Sequence, residues 1–426
     1  MGIKYQGLKG MEDILPGEIE KWQWLEQKAR VFFESLGFKE IRTPFLEPTE
    51  LFTRSVGEAS DIVHKEMFSF EDRGGRDITL RPEMTASVAR AVIEHGLLKT
   101  NKSLRLYYLG PMFRAERPQA GRKRQFHQIG IEMINETNLD GFNIDAEIIF
   151  RLCSFLSYVG LKDFRLRLND LGDFAGQRQT ALKLKQYFLH EKEKLCEDCH
   201  YRLEKNVLRI FDCKNETCQP VIDKAPWDEI APLSREFSYL IDCLKSSPVP
   251  FDINRRLVRG LDYYNGAVFE VAAKGLGAQD ALAGGGRYDG LYETLGGGQV
   301  PATGFSIGME RLLTALEETE GEAFRQIKNS RIYIAGLAAD SALRKIAEEK
   351  ALCLREAGFS VETLSGETSL SAHLKRANQL GVRHVVIFGE DELRQNKFSL
   401  KDLEKRTQEE FDLPKMISVL TEKTHS

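Results

Sequence analysis

Two segments with an apolar period of two, joined by a basic loop, stand out along the chain. Residues 104–113 and 125–134 are rich in alternating aromatic and aliphatic side chains, which is the period of a β-strand. Residues 114–124 between them hold five Lys or Arg side chains against one Glu, with Pro118 and Gly121 as chain breakers. The pattern predicts a β-hairpin with a long cationic tip.

The same period sorts the polar side chains of this hairpin. On the return strand, Gln128, Gly130 and Glu132 share one face, while the residues between them share the other. Two polar side chains beside a glycine make a floor on which a ligand could lie. Arg114 follows the outgoing strand and could stand at the rim of that floor as a fixed guanidinium. The alternative is a solvated hairpin with a charged tip.

The N-terminal region predicts a helix followed by a strand. Residues 18–36 place apolar side chains at helical spacing, and Gly37 ends the run. Residues 39–44 then read as a short strand that ends at Pro44. The apolar positions of this helix are Ile19, Trp22, Leu25, Ala29, Phe32 and Phe33.

Further elements alternate up to residue 250. Strands at 68–71 and 77–80 flank a two-glycine turn, and Glu83 and Thr85 stand just before a helix at 86–94, where a carboxylate is a favourable partner of the helix dipole. A helix at 141–158 and a strand at 164–168 follow. Residues 172–250 change character, since they are rich in Lys, Glu, Leu and Arg with a helical period, which predicts an inserted helical subdomain.

The next segment is rich in glycine. A strand is predicted at 267–272, and three glycines follow at 284–286. They match neither the GxGxxG dinucleotide pattern nor the GxxxxGK[ST] phosphate loop, so both interpretations are discarded. Residues 304–308 read as a buried strand that runs into a helix at 309–318.

The C-terminal quarter predicts a separate small domain. Residues 317–330 are polar and suit a linker. Beyond them, apolar strands at 331–336, 360–364 and 384–388 alternate with helices at 341–357 and 369–380, which is the βαβαβ pattern of a parallel sheet. Basic and acidic residues are nearly balanced here, so the composition of this domain gives no indication of RNA binding.

The composition limits the possible class of protein only broadly. The 426 residues exceed the usual size of one domain, and 42% apolar with 29% charged residues is ordinary for a globular protein. The formal net charge of −4 means that any nucleic-acid contact must come from local basic patches. Neither a signal peptide nor an apolar stretch of about 18 residues is present, so we expect a cytoplasmic protein without a membrane contact.

Four of the seven cysteines are clustered. Cys196, Cys199, Cys213 and Cys218 are separated by two, thirteen and four residues, which is near the spacing of a tetrahedral zinc site although the second pair is wide. Such a zinc would be structural, since four thiolates leave no open position. The alternative is a set of reduced thiols in a variable insertion.

The hairpin resembles a known family. FRAERP at residues 113–118, GRKRQFHQ at 121–128 and Glu132 resemble motif 2 of the class II aminoacyl-tRNA synthetases, in the form typical of the histidyl-tRNA synthetase family. GF at 37–38 with IRTP at 41–44 resembles motif 1, and GFSIGMERL at 304–312 resembles motif 3. LVRGLDYY at 257–264 resembles the histidine-recognition motif that separates this family from other class II enzymes.

The resemblance implies an α+β fold. It consists of a class II catalytic domain with an antiparallel sheet at 1–325, which contains the helical insertion at 172–250, and a C-terminal α/β anticodon-binding domain at 326–426. It implies ATP-dependent ligation of L-histidine to tRNA(His) through a histidyl-adenylate, with Mg²⁺ bridging phosphate oxygens and the insertion clasping the acceptor arm. Motif 1 implies an isologous homodimer built on the 18–36 helix and the Pro44 strand.

The resemblance also assigns the site residues. Arg114 and Arg259 would stabilise the charge on the α-phosphate, with no protein nucleophile. Met84 departs mildly from the glycine or small residue that the family usually has there. The histidine site would comprise Glu83, Met84, Thr85, Gln128, Glu132, Arg259, Tyr263, Tyr264 and Tyr288, and the ATP site Arg114, Glu116, Arg122 and Arg311.

Two other functions agree with only part of the sequence. A catalytically inactive paralogue that regulates ATP phosphoribosyltransferase in histidine biosynthesis usually lacks the C-terminal domain and the arginine at the place of Arg259, and this chain has both. A general RNA-binding protein that uses the hairpin loop would not explain Glu83 or residues 257–264.

Overall fold

The chain divides into two compact units, Met1–Thr319 and Glu320–Ser426. The structure, a computed structural model, describes residues 5–57, 60–119, 121–136, 143–245, 249–276, 280–318, 324, 331–337, 341–363, 369–389, 392 and 395–425. Among these residues, no helix is both long enough and apolar enough to cross a lipid bilayer. The predicted linker at 317–330 lies largely outside the described residues.

An eight-stranded sheet forms the centre of the first unit. Its strand order is β1-β5-β6-β11-β10-β9-β7-β8; the two outermost pairs are parallel and the others antiparallel. This confirms the predicted α+β class with an antiparallel catalytic sheet. The described strands of the first unit, including the three of a separate small sheet (β2, β3 and β4), are β1 (Lys39–Glu40), β2 (Leu46–Pro48), β3 (Phe68–Glu71), β4 (Asp77–Leu80), β5 (Leu104–Phe113), β6 (Gln125–Ile134), β7 (Phe164–Asp170), β8 (Phe251–Ile253), β9 (Asn265–Ala273), β10 (Ala281–Arg287) and β11 (Ala302–Gly308).

The predicted hairpin is confirmed by the pairing of β5 with β6. Gly110 lies opposite Gln128, and Leu106 lies opposite Glu132. Directly opposed residues of an antiparallel pair point to the same face. The parity read from the sequence therefore places Gln128, Gly130 and Glu132 on one face of the sheet.

Two long helices pack against this sheet. Helix Ile19–Ser35 buries Trp22, Leu25, Ala29 and Phe33, and the ring of Phe33 lies 4.9 Å from that of Phe155 in helix Ile144–Tyr158. The aromatic stripe that suggested a subunit interface is thus buried inside the chain itself. The dimer expected from this helix and the Pro44 strand stays a prediction.

The strand predicted at 39–44 is shorter in the structure. Only Lys39 and Glu40 pair with β5. The carbonyl groups of Thr43 and Pro44 instead accept hydrogen bonds from Arg81 at 2.7 and 3.3 Å. Because the Arg81 side chain is buried, its pKa falls to about 10. These two carbonyl groups therefore accept hydrogen bonds from a buried arginine and not from a neighbouring strand.

A small sheet with strand order β2-β4-β3 has its apolar face outward. Its pairings align Leu46 with Leu80 and Phe70 with Ile78. Leu46 and Phe70 are 42% and 49% exposed. The opposite face carries polar Thr79, which is fully buried. This orientation is the reverse of the usual one and leaves apolar surface uncovered.

The helices of this unit follow the predicted positions closely. The described residues of 172–250 are mostly helical and build a hydrophobic core from residues such as Leu184, Phe188, Leu203 and Trp227. The subdomain bounds themselves stay a prediction. The helices, with the short turns between them, are Ile19–Ser35, Thr49–Val56, Ile62–Glu66, Thr85–Glu94, Leu97–Thr100, Ile144–Tyr158, Phe174–His190, Lys192–Lys194, Glu197–Lys205, Val207–Asp212, Gln219–Asp223, Trp227–Ile230, Arg235–Lys245, Leu291–Thr294 and Met309–Glu317.

The second unit contains a mixed sheet. Strands β12 (Arg331–Gly336), β13 (Ser360–Thr363) and β14 (His384–Phe388) are parallel as predicted. Two further strands, β15 (Phe398–Asp402) and β16 (Thr407–Phe411), add antiparallel pairs, so the prediction of a purely parallel sheet was wrong. Helices Ser341–Glu356, Leu370–Gln379 and Leu413–His425 complete the unit. Residue 364, predicted as the end of a strand, lies outside the described residues.

Candidate active site

A cavity of about 560 Å³ lies on one face of the large sheet. One row of paired residues crosses this face from Arg167 through Glu270, Gly284, Ser306 and Gly130. The centre of the row carries almost no side chain, whereas charged groups stand at its end. The sheet therefore offers a flat floor bordered by charge, as the hairpin parity predicts.

Glycines of this floor leave space for functional side chains. A Cβ atom on Gly284 would lie 2.2 Å from Nη2 of Arg259, and one on Gly304 would lie 1.8 Å from Oε2 of Glu132. Distances below 3 Å are not tolerated between such atoms, so larger residues would displace these two side chains. The glycines at 284–286 belong to strand β10 and do not form a loop.

Glu83 caps the helix that begins at Thr85. Its carboxylate accepts hydrogen bonds from the backbone N–H groups of Thr85 at 2.7 Å and Ala86 at 2.9 Å. The Tyr263 hydroxyl donates to it at 3.3 Å. Burial raises the pKa of this carboxyl despite the hydrogen bonds. The sequence thus fixes an acidic group at the wall of the cavity.

Glu132 forms a second buried acidic group on the floor side of the sheet, covered by Thr85 and Tyr288. The Thr85 hydroxyl donates to it at 2.8 Å, and the Tyr288 hydroxyl also donates. Burial raises the pKa of Glu132 to about 8, with the hydrogen bonds from Tyr288 and Thr85 opposing that rise. A pKa in this range favours the protonated carboxyl at neutral pH.

Three tyrosines wall the cavity near these acids. The ring of Tyr263 lies 4.7 Å from that of Tyr264 and 5.7 Å from that of Tyr288. Burial raises the pKa of all three hydroxyls, that of Tyr264 to about 12. The hydroxyls are therefore neutral donors or acceptors at any physiological pH, beside an aromatic surface that could hold a flat ring.

Seven of the described arginines line the cavity, and the four that the motifs predict have fixed positions. Nε of Arg114 donates to the Pro82 carbonyl at 3.0 Å, and Arg259 pairs with Glu270 at 3.1 Å. Arg311 donates to the carbonyls of Gly121 at 2.9 Å and Ala281 at 2.6 Å.

Burial lowers the pKa of Arg311 from its usual value, although the group remains a cation at neutral pH. The fourth arginine, Arg122, pairs with Glu116 at 3.2 Å. Arginines held by backbone and carboxylate contacts give the cavity a preorganised binding surface for phosphate or carboxylate groups.

Most of the predicted site residues come together in this cavity, and two lie outside its lining. Glu132 is 1% exposed beneath the lining residues Thr85 and Tyr288. Met84 packs into the hydrophobic core, and its sulfur accepts a hydrogen bond from the Thr43 hydroxyl at 3.2 Å. The predicted residues that line the cavity are Glu83, Thr85, Arg114, Glu116, Arg122, Gln128, Arg259, Tyr263, Tyr264, Tyr288 and Arg311.

Sequence reasoning missed a charged wall that the insertion supplies. Arg202 and Arg209 line the cavity, and each donates to Asp61 at 3.0 Å. Burial acts to raise the pKa of Asp61, but these two arginines outweigh it and lower that pKa. No local motif marks this group, because only tertiary packing brings the insertion against Asp61.

Comparison with known proteins places these residues in a family. The chain matches the family described as Histidyl-tRNA synthetase over residues 10–181 and 218–312, and the Anticodon binding domain over residues 331–423. It is 42% identical over 418 residues to a protein of Fervidobacterium nodosum named histidine–tRNA ligase, covering 97% of both chains. A protein of the same name from Desulfosudis oleivorans is 44% identical over 414 residues, covering 96% of both.

A solved structure agrees over the same length. The apo histidyl-tRNA synthetase of S. aureus superposes with a TM-score of 0.73 at 31% identity, covering 98% of this chain and 99% of that one. Family matches to both units, relatives above 40% identity and a shared fold all extend over nearly the whole chain. The chain belongs to the histidyl-tRNA synthetase family.

Proposed function

We infer that this chain catalyses the reaction of its family, the ATP-dependent ligation of L-histidine to tRNA(His). It is a class II aminoacyl-tRNA synthetase. The observation that best supports a working enzyme is the convergence of Glu83, Arg114 and Arg259 on one cavity, although they are far apart in the sequence. A buried acid suits an ammonium group, and the two arginines suit a carboxylate next to a phosphate.

We propose that histidine lies over the glycine-rich floor. Its α-ammonium binds Glu83 and Thr85, and its imidazole lies against Tyr264 and Tyr288 with the carboxyl of Glu132 beneath them. An amino acid without ring nitrogens would leave these buried polar groups unpaired. That penalty discriminates strongly between similar side chains.

Adenylation requires the histidine carboxylate to attack the α-phosphorus of ATP, with pyrophosphate as the leaving group. Arg114 and Arg259 would stabilise the charge that develops on the α-phosphate, and Arg311 would bind the distal phosphates. Arg122 and Glu116 complete the proposed ATP site. Positioning and charge stabilisation carry this step, because the reaction needs no protein nucleophile.

The carboxylates near the proposed phosphate site suit Mg²⁺. Such ions are held by one or two carboxylates together with phosphate oxygens. Glu66 and Glu116 both line the cavity. Burial raises the pKa of Glu66; the charge of Arg114 lowers that pKa, and the charge of Glu116 raises it. We propose that these two residues hold the metal, which would neutralise charge on the phosphates when bound.

The second step transfers the histidyl group to a terminal ribose hydroxyl of tRNA(His). The C-terminal unit matches an anticodon-binding family and would bind the anticodon end. The helical insertion contributes Arg202 and Arg209 to the cavity wall. We propose that it contacts the acceptor end, since phosphates are attracted to such local basic groups.

We also propose a homodimer. The supporting observation is the outward apolar face of the β2-β4-β3 sheet, where Leu46 and Phe70 are 42% and 49% exposed. Apolar surface of this kind is usually covered by a partner. An isologous pair of such faces would satisfy this requirement.

ATP–pyrophosphate exchange with each of the twenty amino acids tests the main proposal. We expect exchange with histidine alone, followed by charging of tRNA(His) transcripts. Exchange with another amino acid would contradict the proposed specificity, and a lack of exchange with all of them would favour the regulatory paralogue.

A further inference from the structure

The four clustered cysteines converge in the folded insertion. The Sγ atoms of Cys196, Cys199, Cys213 and Cys218 all lie within 4.8 Å of one another. Sγ of Cys196 lies 3.7 Å from Sγ of Cys213. Four sulfurs at about 2.3 Å from a tetrahedral zinc ion are about 3.8 Å apart, whereas a disulfide bond measures about 2.0 Å. This spacing matches the edge of a metal tetrahedron.

Backbone donors are already directed at two of the sulfurs. The N–H of Cys196 donates to Sγ of Cys218 at 3.2 Å, and the N–H of Asn215 donates to Sγ of Cys213 at 3.4 Å. Donors of this kind stabilise thiolates and orient them toward a metal. Cys199 and Cys218 are fully buried and Cys196 is partly exposed, which leaves a side for metal entry.

We propose that these four cysteines bind one Zn²⁺ as a closed structural tetrathiolate site. Binding replaces the four thiol protons, which pass to the solvent, and no group is oxidised or reduced. Because no coordination position remains open, the metal takes no direct part in the ligase reaction. The spacing between Cys213 and Cys218, wide for such a site, is accommodated by the turn at Asn215.

The site would stabilise the wall beside Arg259. Helix Glu197–Lys205 carries Cys199 and Arg202, and the turn Val207–Asp212 ends directly before Cys213. Arg209 from this turn donates to the Arg259 carbonyl at 3.4 Å. The four thiolates would tie both segments together, so zinc would hold Arg202 and Arg209 against Asp61 and the backbone of Arg259.

Metal analysis of the full chain, purified without chelators, is the direct test. We expect about one zinc per chain by mass spectrometry of the metals. Replacement by Co²⁺ should give the intense thiolate charge-transfer and tetrahedral ligand-field bands of a four-sulfur site. Protein that contains no zinc and binds neither Zn²⁺ nor Co²⁺ after reduction would overturn the proposal.

Substitutions locate the metal within the chain. Cys196→Ser changes a partly exposed ligand and should lower the zinc content well below one equivalent, while hydrogen exchange should become faster at 196–218. Cys353→Ser, which lies in the second unit, is the matched control and should keep the full zinc content. Equal zinc loss from both variants, or full zinc retention in Cys196→Ser, would contradict the assignment. Because zinc content is read independently of ligase activity, this test does not depend on the proposed function.

Discussion

The contacts of Arg259 allow it to be removed without loss of the fold. Its partner Glu270 is also contacted by Arg167 at 3.4 Å, so Glu270 keeps a cation when Arg259 is absent. Arg259→Ala should lower histidine-dependent pyrophosphate exchange by about 10²–10³, the usual effect of losing one preorganised donor in the transition state. Histidine affinity should change much less, since Glu83 and Tyr264 remain.

Arg259→Lys should recover little activity, because a point charge cannot replace a planar guanidinium. Arg256→Ala is the matched control: this exposed arginine pairs with Asp223, and its loss should leave exchange unchanged. An Arg259→Ala variant that keeps exchange within a few-fold of the parent would refute the catalytic role.

The raised pKa of Glu132 predicts that the free energy of unfolding depends on pH. Its pKa is about 8 in the folded chain and about 4.5 when unfolded. Between these values the folded state holds a proton that the unfolded state has lost, so stability is full below the lower pKa and falls as pH rises toward the higher one. Glu132→Gln, which copies the neutral form, should therefore show a smaller fall in melting temperature between about pH 5.5 and about pH 8.

Calorimetry measures this difference, with the catalytic transition identified by its upward shift when histidine is added. Glu83, which also has a raised pKa and interacts electrostatically with Glu132, remains in both proteins. Equal pH slopes for parent and variant would show that Glu132 is ionised in the fold.

The sequence motifs predict which residues lie near the site, whereas they do not predict whether each side chain lines the cavity or is buried in the core. Arg114, Gln128 and Arg259 line the cavity as the motifs imply. Met84 lies between two site residues in sequence, yet its side chain packs into the core, because neighbouring positions at a helix start point in different directions. The wall formed by Arg202 and Arg209 depends on how the insertion packs, which no local pattern encodes.

At the scale of elements, the glycines of strand β10 leave the space that a side chain of the site occupies. Gly284 faces Arg259, and a methyl group there would lie 2.2 Å from the guanidinium. Gly284→Ala should displace Arg259 and lower pyrophosphate exchange by up to about a hundredfold, the effect that a misplacement near 1 Å can have. The exposed turn variant Gly74→Ala should leave exchange unchanged. Wild-type exchange rates in Gly284→Ala would show that Arg259 acts from another position.

Elements with a strong hydrophobic period could be predicted, and those without one were missed. The β5-β6 hairpin and helix Ile19–Ser35 follow from their patterns. Strand β16 has mostly exposed residues and two glutamates, which disfavour strands on intrinsic propensity, so only pairing with β15 explains it. The glycines of β10 do not predict a strand, because glycine weakens isolated strands. In the structure, β10 is stabilised by pairing with β9 on one side and β11 on the other.

The outward apolar face of β2-β4-β3 predicts how assembly can be disrupted. Phe70→Asp places a charge on this face, which should convert a dimer of about twice 48.4 kDa into a monomer in light scattering at micromolar concentration. Leu182→Asp is the control, since Leu182 is 65% exposed in the insertion, outside that sheet. A parent protein that is already monomeric, or a Phe70→Asp variant that remains dimeric, would contradict the proposed interface.

At the scale of the whole molecule, each unit has its own hydrophobic core. The core clusters of the second unit include Ile332, Phe388 and Met416 on one side and Tyr333, Val385 and Ile387 on the other. All described residues that line the cavity belong to the first unit. We therefore expect adenylation and recognition of the anticodon to depend on different cores.

Deletion of residues 320–426 should separate the two steps of the reaction. Histidine-dependent pyrophosphate exchange should stay within a few-fold of the parent, because the described residues that line the cavity are all retained. The kcat/KM for charging tRNA(His) should fall by about tenfold or more, since each ~1.4 kcal/mol of lost tRNA binding lowers affinity tenfold. Exchange and charging assays on one preparation, with circular dichroism as the check on folding, measure both. Equal losses in the two assays would show that the catalytic unit needs the C-terminal unit for adenylation, and unchanged charging would remove the C-terminal unit from tRNA recognition.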